Sequence, residues 1–336
     1  MAKAGAGGGN RTHTGGKPHK ILSLARLPIS PLRPEAVSYY ARTVRRVALL
    51  VALAIPLGAT AEPGRATSQA AGWELVVLGI AQDAGIPQLG CGQPLCRSIR
   101  AGKRRPERVA SLGVVNTALN RAYLFDATPD LPSQVHSLTG GRAPDGVFLT
   151  HGHIGHYTGL MYFGREATDA RRVPVYGTER MLGFLRGNGP WSLLVSRNSI
   201  DPRALRADEP VALDGGLRVT AFTVPHRDEF TDTVGYLIEG PRRKVLFVPD
   251  IDQWQRWDRN IRDVVSGVDL AFLDGTFASA DEIPGRSVAD IPHPLIPATR
   301  ELLKGVRSEV WFIHLNHTNG QIDAKDVAKD GARFGI

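Results

Sequence analysis

At 336 residues, 42% of them hydrophobic and 22% charged, the chain is long enough to bury a sizeable core and has an ordinary globular composition, which excludes a wholly disordered protein. The formal net charge of +8 gathers partly at the start, because residues 1–46 contain a single acid, Glu35, and the remainder is only slightly basic. Charge therefore gives no reason to expect nucleic-acid binding, and a small-molecule substrate is the expected partner.

Residues 1–44 begin as Gly- and Lys-rich low complexity and are expected to be a disordered leader, or to precede a translation start nearer Val44. Arg45 and Arg46 then stand before an apolar run from Val47 to Gly58, closed by Ala59-Thr60-Ala61. A positive flank, a short apolar core and a small-x-small site over 45–61 predict a secretory signal peptide, too short to span a bilayer comfortably. The expectation is an exported protein, periplasmic or extracellular, touching a membrane only through this segment. Residues 62–72 read as linker and 73–336 as the catalytic domain.

From Trp73 the pattern changes to alternating strand and helix. Trp73 to Ile80 reads as a first strand, followed by a loop carrying Asp83, Cys91 and Cys96. In an exported protein Cys91 and Cys96 would close a small disulfide loop; in the cytoplasm they would resemble half a zinc knuckle. Ala110 to Thr117 and Arg121 to Asp126 are two further strands, with Asp130 the expected N-cap of a helix from Leu131 to Leu138.

Gly146 to Leu149 is a buried strand, and directly after it come His151, His153 and His156. A loop leaving a strand can aim His151 and His153 at one point while a helix opening near Tyr157 presents His156 from another side. Three neutral imidazoles so arranged suit zinc or a similar cation, with room for a carboxylate and a water.

A helix continues from Leu160 to Arg165, a strand follows over Val173 to Gly177, and a helix over Glu179 to Arg186. Asn188 to Asp214 yields only strand pieces and loop. Leu217 to Pro225 delivers His226 at its end, and Thr233 to Glu239 pairs with Lys244 to Asp250 as a hairpin across Gly240-Pro241. Asp252, Trp254 and Trp257 lie in a helix-like stretch. Val268 to Asp274 and Glu309 to His314 are the last strands, His293 lies in the loop between them, and Asn316 and His317 follow. Asp126, His151, His226, Asp250, Asp274 and His314 thus all stand at strand ends, where α/β proteins place their sites. Tyr157, Trp191, Trp254 and Trp257 are expected in the core rather than in a cleft.

This His-x-His-x-x-His loop followed by His226, Asp250 and His314 resembles the metallo-β-lactamase-fold hydrolases, over nearly all of the chain after Trp73. Within that superfamily it is similar to the branch of the pyrroloquinoline quinone biosynthesis protein B, through Asp83-Ala84-Gly85-Ile86, Asp126-Ala127-Thr128, Thr158-Gly159-Leu160, Pro249-Asp250, Asp274-Gly275-Thr276 and His314-Leu315-Asn316. The resemblance implies an αββα four-layer sandwich. It implies that His151, His153 and His226 hold a first metal, with Asp250 bridging to a second held by His156 and His314. One or two divalent ions follow, zinc first, with manganese or iron as alternatives.

Gly155 occupies the position of the family's usual acid. Either Asp252, Asp83 or Asp228 enters the vacancy, or the second site is weak. By the same resemblance His293 is a proton donor, Asp126 and Asp274 fix histidine tautomers, and His317 is a spare ligand or a support to one. The implied reaction is hydrolysis of an ester, lactam or phosphodiester. The alternatives are an iron-dependent oxygenase-like protein of quinone-cofactor synthesis, or a metal-binding homologue without turnover.

Overall fold

The computed structural model describes residues 72–282 and 292–336. The leader, the signal peptide and nearly all of the linker expected before Trp73 lie outside the described residues, and no helix among those described is long and apolar enough to cross a membrane.

Two mixed sheets face one another. The first contains β1 (Glu74–Gly79), β2 (Ser111–Asn116), β3 (Arg121–Phe125), β4 (Gly146–Phe148), β5 (Val173–Thr178), β6 (Ile200–Leu205) and β13 (Arg333–Gly335), in the order β13-β1-β2-β3-β4-β5-β6. The second contains β7 (Pro210–Ala212), β8 (Arg218–Thr223), β9 (Val234–Glu239), β10 (Lys244–Val248), β11 (Leu270–Asp274) and β12 (Glu309–Ile313), in the order β12-β11-β10-β9-β8-β7. Each sheet is part antiparallel and part parallel. β3 to β6 run parallel in the first sheet, as do β10, β11 and β12 in the second.

The central parallel strands β10 and β11 are covered on both faces and read as unbroken apolar runs such as Val245-Leu246-Phe247-Val248, because neither face meets water. The inner side chains of both sheets form the core between them. Phe125 of β3 stacks on Phe148 of β4 at 5.2 Å and meets Phe247 of β10 edge-on at 6.2 Å across the sheet interface. Tyr236 of β9 packs on both Phe125 and Phe148, and its hydroxyl donates to the Leu149 carbonyl.

Helices cover the outer faces. On the first sheet lie α2 (Leu131–Thr139), through Leu131, Val135 and Leu138, and α4 (Glu179–Gly187), through Met181, Leu182 and Leu185. On the second lie α6 (Ile261–Ser266), Trp254 and Trp257. This is the αββα sandwich expected.

Several local expectations are corrected. Asp130 stands at the N-terminus of α2 but makes no capping bond; its Oδ2 accepts from the Val109 amide at 2.8 Å and ties the helix to the β1–β2 connection. The helix of the histidine loop, α3 (Ile154–Tyr157), opens three residues before Tyr157, and Thr158–Phe163 continues it as a 3-10 turn rather than as a helix to Arg165. The unassigned stretch after Asn188 contains α5 (Trp191–Ser196) as well as β6 and β7. The reading also missed α1 (Pro94–Arg100), α6, α7 (Ile296–Leu302) and β13.

Candidate metal centre

The strand ends that leave the inter-sheet core converge at one edge of the sandwich. β3 delivers Asp126, β4 the histidine loop, β8 His226, β10 Asp250, β11 Asp274 and β12 His314. Thus the residue after each buried apolar run is a polar one, and all of them except half-buried His153 are buried.

Four side chains enclose a first point. His153 Nδ1 lies 3.0 Å from His151 Nε2 and 3.2 Å from His226 Nε2, while Asp250 Oδ2 lies 3.5 Å and 3.3 Å from the same two Nε2 atoms. A tetrahedron with metal–ligand bonds of about 2.0–2.1 Å has edges of about 3.3 Å, so this donor set has the size of a zinc-type site. Asp250 Oδ2 also reaches His156 Nε2 at 3.8 Å and His314 Nε2 at 3.7 Å. One carboxylate oxygen therefore faces four imidazoles from both sheets.

A second group joins His156 and His314 to Asp83, whose Oδ1 stands 3.4 Å and 3.9 Å from their Nε2 atoms. Asp83 Oδ1, His156 Nε2, His314 Nε2 and Asp250 Oδ1 are buried without a hydrogen-bond partner. Buried polar atoms left bare cost about 1–3 kcal/mol each, more if charged, so a converging set of them fits an absent cation. Two His/Asp clusters of a kind that hold divalent metals thus share Asp250.

The outer nitrogens are fixed with equal care. His156 Nδ1 donates to Asp126 Oδ2 at 2.7 Å, and Thr150 Oγ1 bridges Asp126 (2.9 Å) and His151 Nδ1 (2.9 Å). The second sheet repeats the device: His293 Nδ1 donates to Asp274 Oδ2 at 2.8 Å, and Thr276 Oγ1 bridges Asp274 (2.7 Å) and His314 Nδ1 (3.0 Å). An acid and a threonine in each sheet thus turn the Nε2 atoms of His151, His156 and His314 inward. Asp126 (φ 68°) and His314 (φ 67°) both take the left-handed backbone region, which is uncommon for non-glycine residues.

Electrostatics follow from this crowding. Burial drives His151 well below 6.5, into the neutral form that a ligand must have. Burial pushes the Asp250 carboxyl up, yet His226, His314 and His293 hold it well below the usual carboxylate range. Burial acts likewise on Asp83, and the imidazoles of His156 and His314 pull it far down.

Of the three acids considered for the space at Gly155, Asp83 is the one that stands there. Asp252 instead accepts from His226 Nδ1 at 3.1 Å and from Arg256 at 2.9 Å, and Asp228 accepts from Thr233 at 3.2 Å. His293 lies at the centre, its Nδ1 3.4 Å from Asp250 Oδ1. His317 does not: its Nδ1 is 3.0 Å from Cys91 Sγ, beside the Cys91–Cys96 disulfide. Trp254 and Trp257 are core residues, and Tyr157 packs against half-buried Trp191 with the rings tilted at 50° and their centroids 4.7 Å apart. Missed altogether were Thr150, Thr276 and Glu229, which takes His153 Nε2 at 3.0 Å. The first two stand one residue before His151 and two after Asp274, a spacing that could have marked them.

Residues 121–315 match the family described as the β-lactamase superfamily domain. Coenzyme PQQ synthesis protein B of Rhodopseudomonas palustris is 32% identical over 288 residues, covering 73% of this chain and 90% of that protein. The chain is a PqqB-like member of the β-lactamase superfamily. Among solved structures, zinc-bound PqqB of Methylobacterium extorquens superposes with a TM-score of 0.67 at 21% identity, over 78% of this chain and 100% of that one. A diphosphatase of the PhnP family superposes with a TM-score of 0.57 at 20% identity, over 79% and 97%. Likeness at this identity speaks for the fold, and the PqqB-like strand ends bear the metal-type clusters described above.

Proposed function

We propose that this PqqB-like chain is a metal-dependent hydrolase acting on a small ester, lactam or phosphodiester. The observation that carries the reading is Asp250 Oδ2, which stands 3.3–3.8 Å from four inward-facing imidazole nitrogens of both sheets. His151, His153, His226 and Asp250 would hold a first divalent cation, and His156 and His314 with Asp250 a second; zinc suits the donor set best, with manganese or iron as alternatives. When bound, such a cation would lower the pKa of a coordinated water to about 7 and would polarise a substrate oxygen.

The chain's own part is positioning and proton handling. Asp126, Thr150, Thr276 and Asp252 fix the imidazole tautomers. Asp274 holds His293 through Nδ1, which leaves Nε2 to give its proton to the leaving group, a role that typically contributes about 10²–10⁴ in rate. Residues 45–61 would direct export, which N-terminal sequencing of secreted protein tests.

Elemental analysis of the purified protein, followed by assay of the three probe classes, tests the reading. Bound zinc with metal-dependent cleavage, and a His293→Gln variant that keeps its metal but loses about 10²–10⁴ in kcat, is the expected result. Absence of bound metal and of metal-stimulated cleavage would sink it. The 32% identity to a coenzyme PQQ synthesis protein favours one rival, an oxygen-using enzyme of cofactor synthesis, since three histidines and an acid also suit ferrous iron. Oxygen consumption with iron, and no hydrolysis with zinc, would decide for that rival.

A further inference from the structure

Asp83, on the loop after β1, takes no part in the mechanism above, and Gly155 has no conformational reason to be glycine. Gly155 sits inside α3 with an ordinary backbone, where glycine costs roughly 0.5–1 kcal/mol relative to alanine. What demands it is space. A Cβ at position 155 would lie 2.3 Å from Asp83 Oδ1 and 2.5 Å from Asp83 Cα, closer than any real Cβ approaches a neighbour. The second of these is backbone, so no rotamer of Asp83 relieves the collision. Any side chain at 155 would occupy the volume that the Asp83 carboxylate now fills.

The Asp83 loop is also clamped to the strand end that carries His314. Gln82 N donates to the Leu315 carbonyl at 2.8 Å, Asn316 Nδ2 donates to Gln82 Oε1 at 2.5 Å, and Gly85 N closes the turn on the Gln82 carbonyl at 2.8 Å. The acid therefore arrives through the gap at Gly155 with its Oδ1 unpartnered, facing the unpartnered Nε2 atoms of His156 and His314.

We infer that Asp83 is the terminal carboxylate ligand of the second cation and that Gly155 is the opening that admits it, so that positions 83 and 155 are alternative sources of one carboxylate. This rests on the metal reading of the centre. The chain from β1 thereby contributes to a cluster otherwise built from the histidine loop and the end of β12.

The test is metal stoichiometry of the full chain after equilibration with excess zinc and removal of free ion, read by elemental analysis alongside circular dichroism. Wild-type protein is expected to retain two ions. Asp83→Asn, which keeps the shape, should retain one and lose the second-site affinity by roughly tenfold or more. Gly155→Ala should behave the same way although it alters no ligand. Two ions held with unchanged affinity in Asp83→Asn, or a single ion in the wild type, would overturn this inference while leaving the metal reading intact. No ion in the wild type would instead overturn the metal reading, and this inference with it. Should Gly155→Ala unfold, the Asp83→Asn comparison decides alone.

Discussion

The charge state of the imidazoles makes binding of a cation a proton exchange. Burial pushes His226 down, but Asp250 and Asp252 more than offset that and lift it to about 10 in the cation-free centre. His226 is thus protonated below that pH without a cation and must be neutral to ligate one, so uptake releases a proton and apparent affinity rises as pH rises toward 10. Calorimetry in buffers of different ionisation enthalpy should detect that release; zero release would contradict it. Asp126→Asn should lower affinity by about 10–100-fold, measured by chelator competition, because asparagine tolerates the left-handed backbone at 126 but brings no charge to His156 Nδ1.

Among the elements, β10 has most to do, since it carries Phe247 into the core and Asp250 to the edge three residues later. Phe247→Ala should cost about 3–5 kcal/mol in denaturant unfolding, because the ring is fully buried between the sheets. Strands like this one were legible in the sequence, since an apolar run ended by a single polar residue is a local pattern. The helices of six or seven residues and the three-residue edge strand were not: β13 is Arg333–Gly335, and α5 begins at Trp191 directly after Gly189-Pro190, with too few turns to show a period. His317 was misplaced for a related reason. It stands three residues beyond His314, yet the left-handed turn at His314 sends the chain toward Cys91. That Asp83 rather than Asp252 enters the space at Gly155 depends on Cβ positions brought together by the fold, which no spacing along the chain reveals.

For the whole molecule, the donors are divided between the sheets. His151, His153 and His156 follow a strand of the first, and His226, Asp250 and His314 follow strands of the second. A cation at a concentration 100 times its Kd should add about 2.7 kcal/mol to stability. For a domain of this size that is a Tm higher by roughly 5–10 °C than in chelator, measurable by scanning calorimetry.

The paired acid and threonine in each sheet carry a further consequence. Because Asp126 with Thr150 anchors one set of rings and Asp274 with Thr276 the other, each set is held to its own layer, and the packing between the layers, the aromatic seam of Phe125, Phe148, Tyr236 and Phe247 included, sets the offset between them. A slip of one layer over the other by a fraction of an ångström would misalign every donor at once. The greasy middle of the protein is therefore the gauge block for its polar rim, and repacking it would tune which ion radius the rim prefers without touching a single coordinating atom.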